Sequence, residues 1–276
     1  MKRINKQTLI NTTIWTMIIV GIGGLLFLSV QRKKNADVSG IVVDLQANEN
    51  GKLIGEKEVI SMVKKSVGFN PTQKSIRKIN TRKLELVLSK DPRVKKAEVY
   101  FDSKDRLHIQ IVPKEVIVRI SDVTGKQYFL DEAGNQVPVY KGSAVRVPLA
   151  NGFINAYKKG FDTRPDRTPL KEVFDIIKYV RKDAFLHALI EQINVDETGE
   201  IVLIPNVGKE KLIFGGAEQM DEKFDNLKIF YKDGMTKIGW NKFPSINLKF
   251  MNQVVLVDNT PLQPVASAQT EPVKQH

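Results

Sequence analysis

The sequence predicts an α+β protein: one N-terminal transmembrane helix, a β-α-α-β-β unit, then a strand-rich domain with a mixed sheet and two helices. Three observations carry this. Leu9 to Val30 holds no charged residue, and at 1.5 Å per residue such a run covers about 33 Å, enough for a hydrocarbon core of about 30 Å. Residues 38–113 switch from strand to helical spacing and back to strict alternation. From Tyr128 onward, short alternating runs are separated by Gly-containing turns, with two helical patterns between them.

The first element is the apolar run. A secretory signal would carry a shorter apolar region and a small-residue cleavage site; here the run is followed at once by Gln31-Arg32-Lys33-Lys34, which predicts an uncleaved helix over 9–31. Trp15 suits an interfacial position. Lys2, Arg3 and Lys6 precede the span and Arg32, Lys33 and Lys34 follow it, so flanking charge leaves its direction open.

Residues 38–45 read as a strand. Val59, Ile60, Met62, Val63 and Val67 mark a helix that Gly68 stops. Asn80 caps a second helix with Leu84, Val87 and Leu88 on one face, and Asp91-Pro92 ends it. Val94, Ala97, Val99 and Phe101 lead through Asp102–Asp105 into a strand where Leu107, Ile109 and Ile111 alternate with His108 and Gln110.

Further on, Tyr128 to Val139 reads as a hairpin turned at Asp131–Gly134. Residues 145–153 read as a short edge segment, because Pro148 cannot donate to a ladder. Thr168-Pro169 starts a helix whose face is Leu170, Val173, Phe174, Ile177 and Val180. Residues 191–215 give two or three strands. A last helix carries Met220, Phe224, Leu227 and Phe230 or Tyr231, and Ile246 to Val257 gives a final strand pair. The predicted organisation is a tail over 1–8, the anchor over 9–31, a first domain over 36–114, a second over 115–258, and a disordered tail over 259–276.

The chain has 276 residues, 42% hydrophobic, and no cysteine, which excludes disulfides, thiolate metal sites and a cysteine nucleophile. The net charge of +12 is concentrated in Lys74 to Arg106, with eleven Lys/Arg against five Asp/Glu. No aromatic residues interleave with these cations as stacking platforms for nucleic acid require; a domain tethered beside anionic lipid accounts for the charge. None of the metalloprotease, nucleophile-elbow, phosphate-loop or dinucleotide motifs occurs. His108, His187 and His276 are far apart in sequence. The expectation is a non-enzyme with no cofactor and no metal.

The most exposed opportunity for binding is the last strand. Residues 250–257 carry no charge, and Val254 to Val257 form an apolar run next to a tail poorly suited to cover it. An open edge of this kind templates a partner strand. The expected partner-binding residues are Lys249, Phe250, Met251, Asn252, Gln253, Val254 and Val255.

The β-α-α-β-β order beside an anchor resembles a POTRA module. Residues 91–120, DPRVKKAEVYFDSKDRLHIQIVPKEVIVRI, resemble the corresponding run of the FtsQ/DivIB cell-division family. So do Asp131–Pro138, Val147–Gly152, Leu212–Gly215 with Lys223, and Ile246–Val255, where Asn247 stands in place of the usual aspartate. The resemblance implies a cytoplasmic N-terminus, a periplasmic or extracellular body, residence at the division septum of the inner membrane, and a non-catalytic divisome scaffold. It implies FtsB-like and FtsL-like partners, the FtsB-like chain adding a strand at the C-terminal edge, and contacts of the POTRA module with other septal proteins. A POTRA-bearing envelope chaperone or translocation component is the alternative; an envelope enzyme with an unrecognised site is a third.

Overall fold

The computed structural model describes residues 14–25, 36–48, 50–239, 242–250 and 253–257. Residues 14–25 form helix α1 with exposed apolar side chains, among them Trp15, Met17 and Leu25. Twelve residues rise only about 18 Å, and no described helix is long and apolar enough to cross a membrane. Residues 9–13 and 26–31 of the predicted span, the 1–8 tail and the 259–276 tail lie outside the described residues.

The described residues form two compact units. The first, up to Val116 with Val137–Arg146, contains a three-stranded sheet. Its centre is β4 (Arg106–Pro113), paired in parallel with β1 (Gly40–Leu45) and antiparallel with β3 (Val94–Phe101). Helices α2 (Glu56–Val67) and α3 (Thr81–Ser89) lie between β1 and β3 in sequence. The alternation of β4 is the reason this sheet has one packed face: Leu107, Ile109 and Ile111 are fully buried against Val59, Val63, Leu84 and Leu88, while the intervening side chains stay partly wet.

The predicted caps form. Gly68 closes α2 in the left-handed conformation, its N–H donating to the Lys64 carbonyl at 2.9 Å. The Asn80 side chain accepts the Lys83 N–H at 2.9 Å and starts α3. In the β3–β4 turn, the Asp102 carboxylate accepts the backbone N–H groups of Arg106 and Lys104 and meets the side chains of Arg106 and His108. These donors, the Arg106 backbone first, hold its carboxyl far below the usual range.

Arg93 ties the unit together from within. It is 4% exposed, pairs with Asp91 at 2.9 Å and Glu58 at 3.1 Å, and lies 3.9 Å over the Tyr140 ring. Glu58 in turn accepts the Gly55 N–H that begins α2. Burial opposes ionisation of Asp91, but the Arg93 side-chain and backbone donors outweigh it and keep that carboxyl low. The Val137–Arg146 segment contributes Tyr140 and also β8 (Ala144–Val145), which pairs with β2 (Gly51–Lys52).

The second unit holds most of a nine-stranded mixed sheet. From one end its order is β14 (Val255–Val257), β13 (Ser245–Asn247), β12 (Lys211–Gly215), β11 (Ile201–Pro205), β10 (Ile190–Val195), β9 (Leu149–Gly152), β5 (Val116–Ser121), β6 (Gln127–Asp131) and β7 (Gln136–Pro138). Helix α4 (Pro169–Val180) starts at Thr168, whose hydroxyl accepts the Lys171 N–H. All five of its predicted face residues are buried, with Ile176 beside them. Phe174, Phe214 and Phe224 are among the largest buried side chains.

Two expectations are corrected here. Residues 149–152 are not at an edge: β9 runs parallel to both β10 and β5. Pro148 lacks only its own donor and stands just before the strand, where its carbonyl accepts the Arg119 N–H at 2.9 Å. The unit also contains more than two helices. Ala184–Leu189 forms α5, capped by the Asp183 carboxylate accepting from Phe185 and Leu186 at 3.0 Å, and six residues are too few for a periodic signal. The predicted last helix forms as α6 (Met220–Ile229) and continues through a π-helical turn, Phe230–Gly234, into α7 (Met235–Ile238).

Replacing Arg93 by Ala leaves two acids without their guanidinium and removes the stack on Tyr140. Amide exchange in β3 and β4 should report a loss of about 3 kcal/mol of stability, and Lys at this position should restore little because it lacks the planar fork. Gly152 has φ +95°, and a Cβ there would sit 2.0 Å from the Val195 carbonyl oxygen. Gly152→Ala should cost at least about 2 kcal/mol in denaturant unfolding.

Candidate partner-binding edge

The end of the sheet at β14 is assembled from β12, β13 and the helices between them. β13 is parallel to β12, with Leu212 beside Ile246, and β14 returns antiparallel, with Ile246 opposite Leu256. Ile246 is 1% exposed, so Leu256 shares the core face, and it packs there together with Val254. Val255 and Val257 stand opposite Asn247 and Ser245 and share the other face. Among the described residues, no strand lies beyond β14. The residues predicted for binding therefore fall in two places: Val255 in the terminal strand, and Lys249, Phe250, Gln253 and Val254 in the segment leading to it. Met251 and Asn252 lie outside the described residues.

That leading segment has its own supports. Asn247 Oδ1 accepts the Lys249 N–H at 3.0 Å, a task a neutral amide oxygen performs in place of a carboxylate. The Lys249 stem crosses Gly215, where φ is +78° and an added Cβ would lie 3.0 Å from its Cγ and Cδ. Glycine at 215 is thus needed both for the backbone turn and for the close passage of the side chain. Beyond it, the Lys249 ammonium pairs with Glu200. Phe250 is 46% exposed.

Beneath these groups, Lys223 is 4% exposed. It donates to the Gly216 carbonyl at 2.9 Å and to Glu218 at 3.2 Å, and lies 4.8 Å from the Phe214 ring centre. Burial disfavours the Glu218 carboxylate, but its hydrogen bonds, including that from Lys223, lower its pKa overall. Tyr179 stacks on Phe224 at 5.0 Å and donates to Asp221 at 2.8 Å; burial and that acceptor push its hydroxyl up to about 12. Lys223 thus braces α6 against β12, and Tyr179 braces it against α4.

One feature was not predicted. A cleft of about 380 Å³ runs between Ile229, Phe230, Asp233 and Lys237 on one side and Gln253 and Val254 on the other. Ile229 is 60% exposed beside it. Helical spacing correctly leaves Ile229 off the face of Phe224 and Leu227; that it borders a cleft depends on where residues 253–254 return, which no local pattern encodes. Chemically, the region offers a strand edge unpaired among the described residues, a cleft lined by apolar, polar and charged side chains, and the cations Lys237 and Lys249, all suited to a polypeptide. Among the described residues, no group of three or more His, Cys, Asp or Glu is placed to hold a metal ion.

Residues 38–112 match the family model described as a POTRA-like domain. Residues 115–256 match the family model described as FtsQ/DivIB, C-terminal related. No curated protein matches the chain. The second match spans half of the chain and ends within β14, and the order of motifs from Asp131 to Val255 follows the same pattern: the chain belongs to the FtsQ/DivIB family of cell-division proteins.

Proposed function

We propose that this chain is a non-enzymatic divisome scaffold in the inner membrane at the septum, and that it receives a strand from an FtsB-like protein, itself joined to an FtsL-like one, along β14. The observation that carries the reading is the position of β14 at the end of the sheet, inside a region that belongs to a cell-division family. Strand addition draws affinity from the backbone groups of the edge and selectivity from alternate side chains. Lys249, Phe250, Met251, Asn252, Gln253, Val254 and Val255 form the contact, with Met251 and Asn252 included on sequence alone. The cleft beside Ile229 and Gln253 lies next to that contact.

In the same reading, residues 9–31 anchor the chain with its N-terminus in the cytoplasm. Residues 36–114 form the POTRA domain, 115–258 the β domain and 259–276 a tail. The apolar character of 9–30 and its exposed described part support the anchor, and the FtsQ/DivIB relation supports the direction. The POTRA domain and anchor engage further septal membrane proteins.

Two outcomes test the strand-addition reading. Deleting residues 250–276 should abolish co-purification of the FtsB-like and FtsL-like pair, while the first unit keeps its amide protection; undiminished co-purification rules strand addition out. Val254→Glu and Val255→Glu should act unequally. Glutamate at 254 faces the core and should weaken both binding and local stability. Glutamate at 255, on the other face, should lower partner affinity at least tenfold with little change in unfolding.

A further inference from the structure

We infer that the end of the first unit where the chain enters it is a contact surface for anionic phospholipid headgroups. This inference rests on the proposed anchor at residues 9–31. The entry segment is fixed on two sides by hydrogen bonds. Ile76 N–H donates to the Ala36 carbonyl at 3.0 Å and Val38 N–H to the Lys74 carbonyl at 3.1 Å, with Asp37 and Ser75 bridged between them. On the other side, Ser39 N–H donates to the Asp105 carbonyl at 3.0 Å and Ser39 Oγ to the Lys104 carbonyl at 2.6 Å.

Of the two partners of the entry segment, residues 74–78 are basic, and residues 102–106 carry two bases and two acids. Lys74, Arg77, Lys78 and Lys104 are exposed, and no ion pair engages any of them among the described residues. Arg82 and Lys83, also exposed, come next in the first turn of α3. The acids at this end are Asp37, Asp102 and Asp105, and Asp102 is already occupied by Arg106 and His108. Arg32, Lys33 and Lys34 precede the entry in sequence.

The tether makes this arrangement consequential. From Gln31 to Ala36 an extended chain reaches at most about 17 Å, so the basic end cannot move farther than that from the end of the anchor. Over such a distance an anionic bilayer surface still attracts a cationic face at physiological salt, with a screening length of about 8 Å. Each basic residue near such a surface shifts the bound-to-free ratio roughly fivefold. Nucleic acid fits less well, because Tyr100 and Phe101 are not interleaved with these cations.

The chain has no cysteine, so Gln73→Cys, at an exposed neutral position beside Lys74, takes a single environment-sensitive fluorophore. The labelled full chain is reconstituted into phosphatidylcholine vesicles with and without phosphatidylglycerol and washed with alkali. The expected result is retention in both, with a blue-shifted emission only where phosphatidylglycerol is present, reversed by high salt. Replacing Lys74, Arg77 and Lys78 by Gln should lower the shifted fraction's bound-to-free ratio on the order of a hundredfold. Equal emission in both vesicles, with the chain retained, overturns the lipid surface and leaves the anchor standing. Loss of the chain from both vesicles overturns the anchor and the lipid surface together.

Discussion

Every backbone N–H and C=O on the outer side of an open sheet's end strand must find its partner outside the sheet, and among the described residues β14 is one of the two end strands of the larger sheet, with β7 at the other end. The parallel pairing of β12 and β13 requires a crossover, which the chain makes through α6, the π-helical turn and α7. That crossover buries Phe224, Leu227, Tyr231 and Met235 in the same core as Phe214 and Ile246. After β13 the chain turns back, and β14 pairs antiparallel along the free side of that strand. The sheet therefore ends on the last described strand, and its open side is a consequence of topology rather than of any one residue.

An open edge is an aggregation hazard unless it is short, blunted or occupied. β14 is only three residues long, and Leu256 and Val254 commit one side of it to the core. The free face offers Val255 and Val257, both half-buried. Register is well specified on such a strand, since a slip of one residue would turn Leu256 out and Val255 in. In the proposed strand addition, backbone pairing would provide affinity there, while the core contact of Leu256 would fix which side chains a neighbour meets.

Much of this was legible in the sequence because the signals were local. Asn80, Thr168 and Gly68 terminate helices by their own side-chain or backbone chemistry, and Leu107, Ile109 and Ile111 alternate without interruption. The features that stayed hidden depended on distant neighbours. Pro148 marks an edge by its missing donor, but that lack is confined to its own position: β9 begins one residue later and takes its place from β10 and β5. Helix α5 has a clear cap in Asp183 but too few turns to show a period. Tyr140 carries no mark of its role, which exists only because Arg93 lies over its ring. At the candidate edge, the apolar run was visible, but Ile229, Phe230 and their cleft were not.

The charges of the chain divide by range of action. Residues 250–257 contain no charged side chain, so in the proposed strand addition these residues would select a strand by contact and hydrogen bonding. Lys237 lines the cleft beside them, and Lys249 borders them in sequence, where Glu200 already holds it. Both groups are partly exposed, at 41% and 29% for their side chains, so the pair contributes under about 1 kcal/mol once solvent screening is counted. Lys249 is positioned without being tightly held: the passage over Gly215 fixes its direction, while exchanging Glu200 for another acceptor costs little. In the proposed strand addition the backbone would set where a strand joins, and Lys249 would add orientation without governing affinity.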